Sequence, residues 1–196
     1  MQQRTYPDVL GTITGGARRE LPTLQCALGV FPAGATIGQP FEVVVILQSV
    51  IARPQDVVLV LRLPRRDAQG STLSFAVPHP ELKVQLSGGE VGIVHLPVIP
   101  RPPTPPARGY PLILRVFAAE GGPTWRVRLP GAGSPPDALA ISPFRLEVLR
   151  EIAFSGDGER NQLHGRFDVI PGHVRSAPAY PAPKYQVLWK VNDIAV

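Results

Sequence analysis

The sequence predicts an all-β protein in which short antiparallel strands form a two-sheet sandwich or a barrel. Three observations predict it. Apolar segments of no more than about ten residues recur along the chain, Pro, Gly, Asp or Ser bounds each of them, and Val, Ile and Phe are prominent within them. Twenty-four prolines punctuate the chain and break up much of what could form long helices, and side chains stiff at their first torsion favour the pleated strand over the helix.

Taken in order, residues 1–22 are polar and Gly-containing without sustained periodicity, and read as a flexible lead-in or at most an edge strand. Strands follow at Leu24–Val30, Phe41–Val50, Asp56–Leu63, Leu73–Val77, Leu82–Leu86, Val91–Ile99 and Tyr110–Ala119. Four more are expected at Thr124–Leu129, Phe144–Ile152, Leu163–Ile170 and Tyr185–Val191. In Phe41–Val50, residues Phe41, Val43, Val45 and Leu47 share one face, yet Val44 and Ile46 make the opposite face apolar as well. Asp56–Leu63 repeats this, with Val57, Leu59, Leu61 and Leu63 opposing Val58, Val60 and Arg62. Strands of that kind need cover on their second side from a neighbouring segment, another domain or a partner. Leu163–Ile170 alternates cleanly and has one wet face, made by His164, Arg166 and Asp168.

The run FPAGATIGQPFEVVVILQSV, then QDVVLVLRLP, VGIVHLPVIP and RGYPLILRVFAAE, resembles bacterial immunoglobulin-like domains of the adhesion-related and extracellular-repeat kind. Gly38 stands where such domains have the Gly before strand B, Pro64 where a strand ends in Pro, and Gly109–Tyr110 where a corner opens strand F. The resemblance spans about Leu24 to Glu120 and implies an immunoglobulin-like antiparallel β-sandwich with a C-terminal β extension. It implies further that Tyr110 hydrogen-bonds backward to the backbone and opens an inward series of Leu112, Leu114 and Val116. The paired cysteines and core Trp of antibody domains are absent, and an arrestin-like double sandwich is the rival architecture. The expected organisation is a lead-in over 1–22, the sandwich over 23–152, and over 153–196 a β-hairpin extension or the start of a second small sheet.

With 24 Pro and 19 Gly in 196 residues, the chain sits just short of the roughly 25–30% Pro plus Gly of a low-complexity sequence. Its 44% apolar and 18% charged residues are the balance of a chain that buries a core. The net charge of +5 comes from scattered Arg, adjacent only at Arg18–Arg19 and Arg65–Arg66, which is not the cationic stripe that nucleic acid requires. Cys26 is the single cysteine, so no internal disulfide forms, and its apolar neighbours mark it as a small core residue. No apolar run reaches the roughly 18 residues of a membrane span. A signal-peptide core is also missing, so a reducing cytoplasm is the expected compartment, although a mature exported domain would read the same.

Catalytic parts are absent from the pattern. His79, His95, His164 and His173 form no HxH or HExxH pair, and no GxSxG, GxxxxGK[ST] or GxGxxG occurs. Asp157, Glu159 and Asn161 alternate as in a calcium loop but lack its central Gly and distal Glu, so a hairpin turn at Asp157–Gly158 explains them without metal. The expectation is therefore no enzyme, no cofactor and no metal. Residues 100–111, PRPPTPPARGYP, are a stiff polyproline II segment, read as a crossover between sheets rather than a ligand motif. Residues 171–183 read as a Pro/Ala connector. The function expected is a non-catalytic scaffold or binding module that recognises another protein by shape and strand edges, as a subunit of a larger assembly. Its candidate contacts are Trp125, Arg126, Arg128, Val44 and Ile46. The alternative is a carbohydrate-binding or cell-surface adhesion module, which would need Trp125 exposed beside another aromatic.

Overall fold

In the computed structural model, residues 6–120, 149–172 and 181–190 are described, and they form two packed, predominantly antiparallel sheets. The first runs β1 (Arg19–Glu20), β2 (Leu24–Phe31), β4 (Phe41–Ser49), β8 (Val91–Arg101) and β11 (Lys184–Trp189), with β6 (Ser74–Ala76) on the end of β8. The second runs β3 (Gly34–Ala35), β10 (Gln162–Val169), β9 (Ala107–Glu120), β5 (Gln55–Arg62) and β7 (Glu81–Leu86). Among the described residues only the short β3–β10 pairing is parallel.

The core follows from the period-two pattern. Phe41, Val43, Val45 and Leu47 of β4 face Val57, Leu59 and Leu61 of β5 and the inward series Tyr110, Leu112, Leu114 and Val116 of β9, all buried. Each such side chain contributes about 1.5–3 kcal/mol relative to exposure. Cys26 lies in this core as a buried free thiol. At one end Phe41 stacks on Phe167 with ring centroids 4.6 Å apart, and Phe75 and Tyr110 close edge-on and tilted around Phe167.

The second face of β4 is covered by the chain itself. Val44 and Ile46, with Ala27 and Ile93, are sealed by α1 (Val9–Thr14) and by Leu149 and Ile152. Helix α1 starts where the Asp8 side chain accepts the Gly11 N–H at 2.8 Å and stops at Gly15, whose φ of 65° lies in the left-handed region. Six residues are too few for a helix to persist alone, so tertiary contacts hold it. Leu10 is fully buried, and buried Gln48 of β4 accepts the Leu10 N–H at 2.9 Å while donating to the Pro7 carbonyl at 2.7 Å. Gly29 leaves the space that the Ile152 methyl occupies, since a Cβ there would overlap it.

Several expectations need correction. Val44 and Ile46 are not contacts for a partner, because α1 and Leu149 and Ile152 already bury them. Within residues 1–22, read as a flexible lead-in or at most an edge strand, β1 is such an edge strand, and the described part also holds helix α1, which was not expected, because packing on β4 outweighs weak local periodicity. Of the strand expected at Phe144–Ile152, the described residues 149–151 are helical. The C-terminal strands form neither a hairpin nor a separate small sheet, since β10 pairs with β9 in one sheet and β11 with β8 in the other. Residues 102–106 do pass from the first sheet to the second, but through a turn with the Thr104 N–H on the Arg101 carbonyl at 3.0 Å, not as a polyproline II rod. The turn expected at Asp157–Gly158 lies slightly later. Arg160 has φ 48° and the Gln162 N–H bonds the Glu159 carbonyl at 2.8 Å, which leads from the Leu28–Ser155 bridge into β10.

Replacing Gln48 by Leu removes both anchors of α1. The expected outcome is a loss of roughly 1–3 kcal/mol in urea unfolding, with faster amide exchange across residues 9–14 than in the core strands. Unchanged exchange in α1 would contradict the anchoring role.

Candidate docking face

The outward face of the second sheet departs from the alternation that a solvated sheet needs. Along β9, Ile113, Arg115 and Phe117 point away from the core, and Ile113 and Phe117 are 36% and 44% exposed. Register places Phe117 across from Val58 and Arg115 across from Val60, while Ile113 lies between Arg62 of β5 and His164 of β10. Directly opposed Cβ atoms in such ladders are about 4.5–5.5 Å apart and diagonal neighbours about 7–8 Å, so Val58 and Phe117 meet directly while Val60, diagonal to both Phe117 and Ile113, links them into an apolar diagonal interleaved with Arg62 and Arg115. Val58 and Val60 are half-buried, so the second face of β5, unlike that of β4, remains at the surface.

Cations border the patch. Arg62, Arg115 and Arg166 are exposed and make no ion pair among the described residues, and Lys83 lies across from Val58 on β7. Of the outward acids, Glu81 on edge strand β7 lies directly across from Val60, Asp56 lies across from Gln85 near the start of β5, and Asp168 accepts the Gly109 N–H at 2.8 Å.

A second polar row crosses the outer face of the first sheet. The Glu42 carboxylate lies 2.7 Å from His95 Nδ1, and Lys184 pairs in register with His95. The His95 hydrogen bond, helped by the nearby Lys184 charge, holds the Glu42 carboxyl below its ordinary value against the opposing effect of burial. Neither a nucleophile nor a third ligand accompanies the pair: among the described residues no three His, Cys, Asp or Glu side chains converge on a common point. The Cys26 thiol is pushed up to about 12 by burial and does not supply a thiolate. His79 and His164 are exposed.

Of the residues singled out from the sequence, Trp125, Arg126 and Arg128 lie outside the described residues, as does His173. Val44 and Ile46 are buried, as above. The patch around Ile113 and Phe117 was missed, although its signal stands in the sequence: two large apolar residues at the outward positions of a strand whose inward series was already evident. The aromatic grouping formed by Phe41, Phe75, Tyr110 and Phe167 lies in and against the core, not on a surface open to a sugar. No helix among the described residues is long and apolar enough to cross a membrane. No protein family matches the chain, and no curated protein or solved structure matches it either.

Because the folded pKa of Glu42 is depressed, its stabilisation is fully present above the ordinary carboxylate range and is lost as pH falls through the lowered value. Glu42→Gln is therefore expected to cost on the order of 1 kcal/mol at pH 7 and to flatten the stability loss on acidification below about pH 4.5. Parallel acid-unfolding slopes for the two proteins would exclude this role.

Proposed function

We propose that this chain is a non-catalytic sandwich module of immunoglobulin-like type that recognises another protein, as a subunit of a larger assembly, through the outer face of its second sheet. The observation that carries the reading is the partly exposed apolar row Val58, Val60, Ile113 and Phe117, interleaved with and bordered by Arg side chains that make no ion pair among the described residues. An exposed aromatic beside arginines is the composition that dominates binding energy at protein interfaces. The immunoglobulin-like type is supported by Tyr110, whose hydroxyl donates to the Pro105 carbonyl at 2.9 Å, the backward bond of a tyrosine corner. A non-catalytic role is supported by the inert state of Cys26 and by the isolation of the Glu42–His95 pair.

Affinity purification from the native cell tests the reading. The wild type is expected to retain a stoichiometric polypeptide that Ile113→Asp/Phe117→Asp loses at unchanged melting temperature, while Arg150→Glu, exposed on the segment that covers the other sheet, keeps it. Equal recovery by all three proteins would exclude the face.

A further inference from the structure

We infer that the segment seated on this face is acidic, an extended polypeptide carrying carboxylates between apolar side chains; the inference rests on the docking role proposed above. The order of outward residues sets this chemistry. Arg115 stands between Ile113 and Phe117 on β9, and Arg62 lies directly across from Ile113, so any chain covering the two apolar side chains also covers two guanidinium groups. Those groups have no ion pair among the described residues, and covering them with neutral chain would remove their water without replacing it. Carboxylates in the partner match the planar fork of Arg with two parallel hydrogen bonds.

The acids already present do not fill that role. Asp168 is engaged by the Gly109 N–H, and neither Glu81, across from Val60, nor Asp56, across from Gln85, makes an ion pair with these arginines among the described residues. A second copy of this chain is disfavoured, because an isologous contact centred on Ile113 would bring Arg62 and Arg115 against their own equivalents, in a chain of net charge +5. A nucleic acid would use the cations but would leave Val58, Val60 and Ile113 against phosphate and sugar, with no apolar partner. Ile113 to Phe117 spans about 14 Å of strand, which four or five extended partner residues cover.

Fluorescence anisotropy with the intact protein tests this with three labelled 12-residue peptides of identical Leu and Val positions, whose intervening residues are Glu, Gln or Lys, and with a 12-nucleotide single strand. The Glu peptide is expected to bind at least tenfold more tightly than the Gln and Lys peptides, to weaken as salt rises from 50 to 500 mM, and to lose at least tenfold in both Arg62→Gln/Arg115→Gln and Phe117→Ala. These substitutions alter exposed side chains, and unchanged melting curves would show that the fold is intact. Equal binding of the Gln or Lys peptide that still depends on Phe117 overturns the acidic partner and leaves the docking face standing. Tighter binding of the oligonucleotide, insensitive to Phe117→Ala, overturns both. Binding by none of the four probes overturns the acidic partner, and the purification experiment then decides the face separately.

Discussion

Strand β4 is apolar on both sides and occupies the middle of its sheet, and the layering of the molecule answers that constraint. Its inward residues are satisfied by the second sheet, as in any sandwich. Its outward Val44 and Ile46 would cost several kcal/mol if left in water, and the segments available to cover them are α1 and the stretch around Leu149 and Ile152. Neither is stable by itself. Each is instead pinned to the sheet it covers, α1 through Gln48 and the later segment through the paired Leu28–Ser155 backbone bonds, at 2.9 and 2.8 Å, that continue the β2 edge. Helix α1 and the segment around Leu149 and Ile152 are thus held by strands that lie far from them along the chain.

Polar groups close the interior where strands turn. Gln55, at the start of β5, donates to the Thr23 carbonyl at 2.9 Å and to Ser49 Oγ at 2.8 Å, tying the second sheet to the first. At the opposite end Thr104 exchanges hydrogen bonds with the Ser74 backbone at 2.8 and 2.9 Å, beside the Tyr110–Pro105 bond. The edge strand β11 is attached through a carboxylate. Glu90 is only 2% exposed and accepts the Tyr185 hydroxyl at 2.5 Å, while Lys190 lies 3.5 Å away. Burial and the adjacent Glu90 charge together raise the Tyr185 pKa, so the phenol stays a donor. A buried carboxylate without these partners would destabilise the fold by several kcal/mol, so β11 and the turn that carries Glu90 hold each other in place. Gly92 provides the space in which the Tyr185 ring lies.

Much of the fold was legible because period-two alternation reports burial directly. The strands around Phe41, Asp56, Val91, Tyr110 and Leu163 stand where the pattern puts them, and the wet face of β10 is the polar set read from its alternation. Short elements were not legible. Two-residue strands such as Arg19–Glu20 and Gly34–Ala35 carry no periodicity, and α1 owes its existence to tertiary contacts rather than to propensity. Sheet membership was also hidden, because alternation says which side of a strand is buried and nothing about which neighbour it joins; β10 and β11 look like a pair in sequence and sit in different sheets. For the candidate site, two-sided apolarity flagged both β4 and β5, and only the three-dimensional arrangement separates the strand the chain covers from the strand it leaves open.

That separation is what gives the second sheet its functional reading. An antiparallel sheet with one solvated face places polar side chains outward, and β7 and β10 do so with Glu81, Lys83, His164 and Arg166. Strands β5 and β9, between them, place Val58, Val60, Ile113 and Phe117 outward instead. Nothing in the fold requires this. Arg62 and Arg115 occupy neighbouring outward positions on the same two strands, so the backbone accepts charged side chains there, and the apolar ones add little to a core that lies on the other side of the sheet. Side chains placed where stability makes little use of them, beside arginines with no ion-pair partner among the described residues, are what the proposed docking role would account for.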